Sequence, residues 1–484
     1  MNDIAFSSAG ALAAALRRRA IGSRELLEHY IKRVERFNPD LNAVVSLDLE
    51  GARRRADALD AAAVRGEFQG PLHGLPITIK DLFETEGLRT TAGTKQYAEH
   101  VPTQNAVAVQ RLVDAGAVVF GKTNTPAFGA DVQTYNDLFG VTRNPWNLAH
   151  TSGGSSGGAA AAVAAGLTAF ELGSDLGGSI RTPAHCCGIY GHKATFDVIP
   201  KRGSIPGPPG TLSTGDITVA GPLARSAEDL ELTLSILAGP LPDRAIAWRL
   251  ALPPPRRTRL ADYRIAAWLD DPEFPIDRAV AATLRKTIDA LRAAGARVDE
   301  KARPAFAMRD AVRTYFDLLW AAGSGGIPQQ TFDRFREIAE KAAPEDTGVV
   351  ARHARARTMR HREWLRANEA RERYRAAWGA FFEKYDVLLM PVIQTPAIPH
   401  DHSADMLART ITVNGAPRWY WEQLAWIGIV GMAYLPATTA PIGFADGLPV
   451  GIQIAGPYLE DLTTIDFAKR LAEVVGGYQV PPGY

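Results

Sequence analysis

Cysteine is nearly absent: Cys186 and Cys187 are the only two, and they are adjacent. Neighbouring cysteines do not readily meet disulfide geometry with each other. A disulfide-stapled secreted framework is therefore excluded, and a reducing compartment, the cytoplasm, is expected. A surplus of charge is also absent. The 54 Lys and Arg against 53 Asp and Glu leave a net charge of +1. That balance argues against a nucleic-acid partner and against a charge-driven membrane contact. The N-terminal stretch carries Arg17-Arg18-Arg19 after its apolar residues, the reverse of a secretory signal, and reads as a short amphipathic helix. One uncharged run, 424–445, is long enough to span a bilayer, but Pro436 and Pro441 interrupt it. It reads as a buried helix end followed by a core strand. No internal period is visible, which excludes solenoids and propellers.

What is present is an ordinary globular composition, 46% hydrophobic and 22% charged, with 44 Gly and 32 Pro. So many Gly residues point to tight turns and to places where backbone approaches a ligand. A length of 484 residues by itself suggests about three domains. Helical stretches start at Ser23 (through about Phe37, stopped by Asn38-Pro39), Leu49, Asn105 and Ala159. Short apolar strands are expected at 75–79, 117–120, 168–172, 217–220, 263–269, 386–390 and 450–454. This alternation predicts an α/β fold with a largely parallel sheet. From about Arg309 to Lys384 the chain turns helical and polar, and 352–375 carries nine Arg and three Glu. With no RNA-binding motif nearby, that segment reads as a solvated face with Glu369–Arg373 pairing at i,i+4.

The densest chemical signal is 152–195. It holds Ser152-Gly153-Gly154-Ser155-Ser156-Gly157-Gly158 and Ser174-Asp175-Leu176-Gly177-Gly178-Ser179-Ile180-Arg181. Consecutive glycines beside a hydroxyl let backbone N–H groups gather around a phosphate or an oxyanion. Neither block has the Lys of a phosphate-binding loop. Gly153-x-Ser155-x-Gly157 formally matches a nucleophile elbow, but the preceding residues make a poor strand. His400-Asp401-His402 with Asp405 is a short polar cluster without HExxH, so no metal is expected. A Ser–Ser–Lys relay fits better. Lys80 closes the apolar run 75–79, where partial desolvation favours the neutral amine, a general base.

The Gly-Gly-Ser-Ser-Gly-Gly block, the Asp-x-Gly-Gly-Ser-Ile-Arg block and the strand ending Lys80-Asp81 resemble the amidase signature family. The spacing agrees: Ser155 lies 75 residues after Lys80, and Ser179 a further 24 on. Gly121-Lys-Thr-Asn124, Asn144-Pro-Trp146 and Gly447-Leu-Pro-Val-Gly451 with Gln453 extend the likeness over most of the chain. The resemblance implies a large twisted mixed β-sheet flanked by helices on both faces. It implies Ser179 as nucleophile, Ser155 as the bridging serine after a cis peptide, and Lys80 as base. Backbone N–H groups of Leu176, Gly177, Gly178 and Ser179 would form the oxyanion hole, with Asp175, Arg181 and Ser156 in support. No cofactor is implied.

Because these motifs must meet in one sheet, a single domain over 1–484 is expected. Its signature core spans about 70–225, a helical insertion about 305–385, and the C-terminal core about 386–484. The expected activity is hydrolysis of a small-molecule carboxamide or anilide, linear or cyclic. A homodimer is allowed. Two other readings are the glutaminase subunit of a tRNA-dependent amidotransferase and a non-catalytic binding protein on the same fold.

Departures from the family pattern concern the substrate more than the reaction. Ser174 stands for Thr, Lys193-Ala194-Thr195 for Lys-Pro-Thr, and Gly431-Met-Ala-Tyr434 loses an Asn. Candidate substrate contacts are Asp131, open to a cationic group or to a nearby backbone turn, together with Gly153, Gly154 and Tyr434. Trp419 and Trp426, seven residues apart, are expected on one helix face as core packing or as a pocket wall.

Overall fold

The computed structural model describes residues 4–205 and 207–484. Eleven strands form one sheet. In chain order they are β1 (Val44–Leu47), β2 (Pro76–Lys80), β3 (Val118–Thr123), β4 (Glu171–Asp175), β5 (Tyr190–Lys193), β6 (Val219–Ala224), β7 (Arg264–Ala267), β8 (Arg297–Asp299), β9 (Val387–Pro391), β10 (Ala437–Ala445) and β11 (Leu448–Ala455). Across the sheet they run β1-β3-β2-β4-β6-β5-β10-β11-β9-β7-β8. Helices cover the sheet, giving the mixed α/β architecture that the family resemblance implies.

The expectation of a largely parallel sheet needs correction. Pairing is parallel for β2 with β3 and β4 and for β7 with β8 and β9. The six other pairs, including the whole centre, are antiparallel. For one of these pairs the cause is local: β10 and β11 are joined by Asp446-Gly447, both at positive φ (52° and 77°). That is the backbone a two-residue hairpin turn demands. Alternating helix and strand patterns hide such a hairpin.

Strands β2 and β4 are buried at every position, although β2 ends in Lys80 and β4 carries Glu171, Ser174 and Asp175, so polar groups are delivered into the interior at the strand ends. The Gly157–Ala164 helix is likewise wholly buried. Its Ala-rich, all-round apolar surface suits a core helix rather than a surface one. The uncharged run at 424–445 becomes the buried helix Ala425–Gly431 and then β10. Among the described residues, no helix is long and apolar enough to cross a membrane.

The first long helix runs Ser23–Leu41 with Pro39 inside it, past the expected stop at Asn38-Pro39. Its end is made by Asn38, whose Oδ1 accepts from the Ala43 and Val44 N–H groups at 2.8 Å each. Helices occupy most of 308–382, the last being His361–Phe382. Seven of the nine arginines in 352–375 have a partner within the protein, including Arg373–Glu369 at 3.6 Å.

Candidate active site

Lys80 ends β2, and Ser174-Asp175 end the adjacent β4. Each Ser-Gly block turns from an extended segment into a buried helix, Gly157–Ala164 after the first and Arg181–Cys187 after the second. The Ser156 N–H donates to the Ser179 carbonyl at 3.1 Å, which joins the two blocks. The Gly154–Ser155 peptide is cis.

The Lys80 side chain is fully buried, and its partners are all hydroxyls. Nζ lies 2.7 Å from Ser155 Oγ, 2.9 Å from Ser156 Oγ and 3.1 Å from Ser174 Oγ. Burial pushes its pKa well below the usual lysine value, and the positive charge of Lys201 adds to the effect. In the sequence, Ser174 stands out only as a substitution for Thr. Its place next to Asp175 is the signal that it shares the site.

Asp175 and Arg181 make a buried fork. Arg181 Nε donates to Oδ2 at 3.0 Å and an Nη to Oδ1 at 2.9 Å. The other Nη reaches the Ile427 carbonyl and Gln453 Oε1, each at 2.7 Å. Burial acts to raise the Asp175 pKa, but the charge and hydrogen bonds of Arg181, with the Lys193 charge and the Gly178 N–H, together outweigh it and hold the carboxyl at about 2. The same carboxylate accepts from the Gly178 N–H at 2.9 Å. Of the four expected oxyanion donors, Gly178 is therefore already engaged. The N–H groups of Leu176, Gly177 and Ser179 have no acceptor among the described residues. Gly178 sits at φ 86°, and a Cβ there would collide with Ile427.

Gly153 and Gly154 lie against protein. A Cβ at Gly154 would sit 2.7 Å from the Asp131 carbonyl oxygen, and one at Gly153 2.8 Å from Pro183 Cα. Both positions are set by close backbone packing. Asp131 is buried and occupied on both oxygens, by Arg409 at 2.7 Å and by the Tyr420 hydroxyl at 2.6 Å. Its Oδ1 also accepts the Val132 N–H at 2.7 Å. Arg409 stands far along the chain, and nothing local to Asp131 announces it.

The two tryptophans do not share a helix. Trp419 ends a strand, Ala416–Trp419, paired with Thr410–Val413. Trp426 belongs to the Ala425–Gly431 helix, fully buried, with Nε1 on the Phe274 carbonyl at 3.2 Å. Trp419 packs on Phe316 with ring centres 5.4 Å apart. Tyr434 stacks on Phe196 at 4.3 Å and donates to Asp216 at 2.5 Å. His402 stacks on Tyr135 at 4.1 Å. Among the described residues, no three His, Cys, Asp or Glu are grouped to hold a metal ion.

The wall beside Gly177 and Gly178 is not legible from motifs. It consists of Tyr315 and Leu319 from the Met308–Ala322 helix, with Leu424 and Ile427. A Cβ on Gly177 would lie 3.2 Å from the Tyr315 hydroxyl. That hydroxyl is buried without a hydrogen-bond partner.

The family model Amidase matches residues 25–465. Similar curated proteins include an acylamidase of Rhodococcus erythropolis, 34% identical over 96% of this chain and 95% of its own. Another is the A subunit of the glutamyl-tRNA(Gln) amidotransferase of a Synechococcus strain, 32% identical over 93% and 92%. A solved amidase structure superposes with a TM-score of 0.79 at 28% identity, covering 96% of this chain and 99% of the other. The chain belongs to the amidase family and is an amide-cleaving hydrolase of that family.

Proposed function

We propose that the protein hydrolyses the C–N bond of a small carboxamide or anilide through an acyl-enzyme on Ser179. Neutral Lys80 takes the proton of Ser155, and Ser155 takes that of Ser179 as it attacks the carbonyl carbon. The N–H groups without internal acceptors at Leu176, Gly177 and Ser179 stabilise the developing oxyanion. Ser155 then returns a proton to the departing nitrogen, which could not leave as an amide anion. Water repeats the cycle on the ester and frees Ser179.

The observation that carries this reading is the Lys80 amine, fully buried and bonded only to hydroxyls, 2.7 Å from Ser155. No carboxylate is bonded to it, and desolvation outweighs the pull of Asp175 and Glu171 toward the charged form. Asp175 and Arg181 support the reading as a brace for the loop. Tyr315, Leu319, Leu424 and Ile427 form the acyl-side wall, apolar except for one phenol. Linear amides are the first substrates to try, and cyclic amides the second. A cytoplasmic setting accords with two free, buried cysteines.

The test is a hydrolysis screen over aliphatic, aryl, cyclic and amino-acid amides with wild type and Ser179→Ala. Turnover of at least one class, abolished by the substitution, is expected; substantial amidase activity in Ser179→Ala refutes the assignment. The likeness to the glutamyl-tRNA(Gln) amidotransferase favours a second reading, in which the chain is the glutaminase component of a larger assembly. Stable co-purification with a different protein, with glutaminase activity dependent on it, would select that reading.

A further inference from the structure

Four lysines are buried: Lys80, Lys122, Lys193 and Lys201. Three have hydrogen bonds. Lys80 has its hydroxyls. Lys122 reaches Thr85 at 2.9 Å and Thr90 at 3.2 Å, and Lys193 reaches the Ala194 carbonyl at 2.8 Å. Lys201, 6% exposed, has neither a hydrogen bond nor an ion pair among the described residues. Its ammonium lies only over the Phe83 ring, 5.4 Å from the centroid. The stem is buried, but Nζ is not among the fully buried polar atoms that lack a partner, so the ammonium keeps a small opening to solvent while no described protein group neutralises it.

Its surroundings supply no anion. Asp175, whose charge it feels, is committed to Arg181. Glu84, the nearest acid along the adjoining segment, is bonded to His100 at 3.1 Å. Yet Lys201 lies beside the catalytic candidates. The Phe83 N–H donates to the Lys80 carbonyl at 3.1 Å. The loop after Lys201 is stitched to the same segment, Ile205 N–H to Leu82 O at 2.8 Å and Glu84 N–H to Gly203 O at 3.0 Å. Leu82 and Ser155 both border Gly129: a Cβ there would meet Leu82 Cδ1 at 3.0 Å and Ser155 Oγ at 3.2 Å.

The two sides of the site therefore differ. The Gly177–Gly178 side is walled by Tyr315, Leu424 and Ile427. The Lys80–Ser155 side, which serves the departing nitrogen, carries an unpartnered ammonium. We propose that Lys201 anchors a carboxylate borne on the amine side of the scissile bond, so that the substrates are N-acyl amino acids rather than neutral amides. The proposal rests on the amidase reading above. It adds a substrate class that the reaction itself does not require.

The experiment uses matched substrates with one acyl group: the amides of glycine, β-alanine and 4-aminobutyrate, each beside the alkylamide lacking its carboxylate. The ratio of kcat/KM within a pair is the readout. Wild type is expected to favour at least one carboxylated member by about ten-fold, the size of a charge-assisted hydrogen bond. Lys201→Met should collapse that ratio toward one, chiefly through KM, and Lys201→Arg should keep most of it. Lys201→Gln provides a polar replacement should the Met variant fold poorly. Hydrolysis of the neutral partners with no preference across the series overturns the inference and leaves the amidase reading standing. So does an equal fall on both members of a pair in the Met and Gln variants, which would mean that Lys201 acts only through Lys80. No turnover of any amide, together with no labelling by a fluorophosphonate, removes the amidase reading and this proposal with it.

Discussion

The Lys80–Ser155–Arg181 region and the helical segment 308–382 use charge in opposite ways. In the first, charged groups are buried and, Lys201 apart, tied to fixed partners: the Arg181–Asp175 pair is 1% exposed on each side chain. In the second, charges pair mostly at the surface, the buried Arg371–Asp216 pair at 2.7 Å being the exception. Arg373 and Glu369 are 80% and 65% exposed, and the Gln329–Lys341 helix buries no residue. A buried pair loses several kcal/mol when one member is removed, whereas an exposed pair is worth little. The lesson is a division of labour. The sheet and its two Ser-Gly turns fix the reacting groups. The helical segment reaches the site through one helix, carrying Tyr315 and Leu319, and adjusts what fits there.

Substitutions sharpen this contrast, and the largest effect falls on the reacting groups. Lys80→Ala and Ser179→Ala should each lower kcat/KM by about 10³-fold or more in an amide hydrolysis assay. The pH profile carries a further sign. The working base is the neutral amine, and burial lowers the Lys80 pKa. Activity should therefore fall as pH drops and Lys80 gains a proton, with the limb well below the usual lysine range. A limb near the unperturbed value of 10.5 would contradict a desolvated base.

Next comes the brace. Arg181→Met leaves Asp175 buried and uncompensated, which should cost about 3–5 kcal/mol in denaturant unfolding. Acid provides an independent check. The Asp175 carboxyl titrates at about 2 in the folded protein against an ordinary 3.8. Because its folded value is depressed, its stabilising contribution is present above 3.8 and is lost as pH falls toward 2. That loss should be smaller in the variant.

A smaller effect is expected at the boundary of the two regions. Tyr315→Phe deletes a hydroxyl that no protein group satisfies. Stability should stay level or rise slightly, because an unmade hydrogen bond is not lost. If the phenol serves the acyl side of the substrate, KM should rise by about 3- to 10-fold with kcat little changed. An unchanged KM would assign the residue to packing alone. Smallest of all, Arg373→Ala should change stability by less than about 0.5 kcal/mol, and a larger loss would break the contrast.

The sequence is most informative where chemistry is local. Lys80, Ser155, Ser156, Ser179, Asp175 and Arg181 lie in short blocks, and those blocks meet around the same buried amine. Some errors are also local and readable. Asn414-Gly415 between two short alternating runs marks a hairpin turn, and both residues take positive φ (54° and 81°). Reading that turn keeps Trp419 off a helix. The antiparallel β10–β11 pair hides at Asp446-Gly447 for the same reason.

Other features have no local signal. Asp131 finds Arg409 from 278 residues away, so only the folded chain reveals that its carboxylate is occupied. Tyr315 lies on an amphipathic helix with no motif around it. Lys201 stands out only because it lacks what the other buried lysines have.

The central claim is that Ser179 is a nucleophile made reactive by a neutral Lys80. The most direct measurement is labelling at pH 7 with a fluorophosphonate, followed by peptide mapping, in wild type and Lys80→Ala. A single modified residue, Ser179, is expected in the wild type, with little or no labelling in the variant. Modification at another residue, or equal labelling rates in the two proteins, would contradict it.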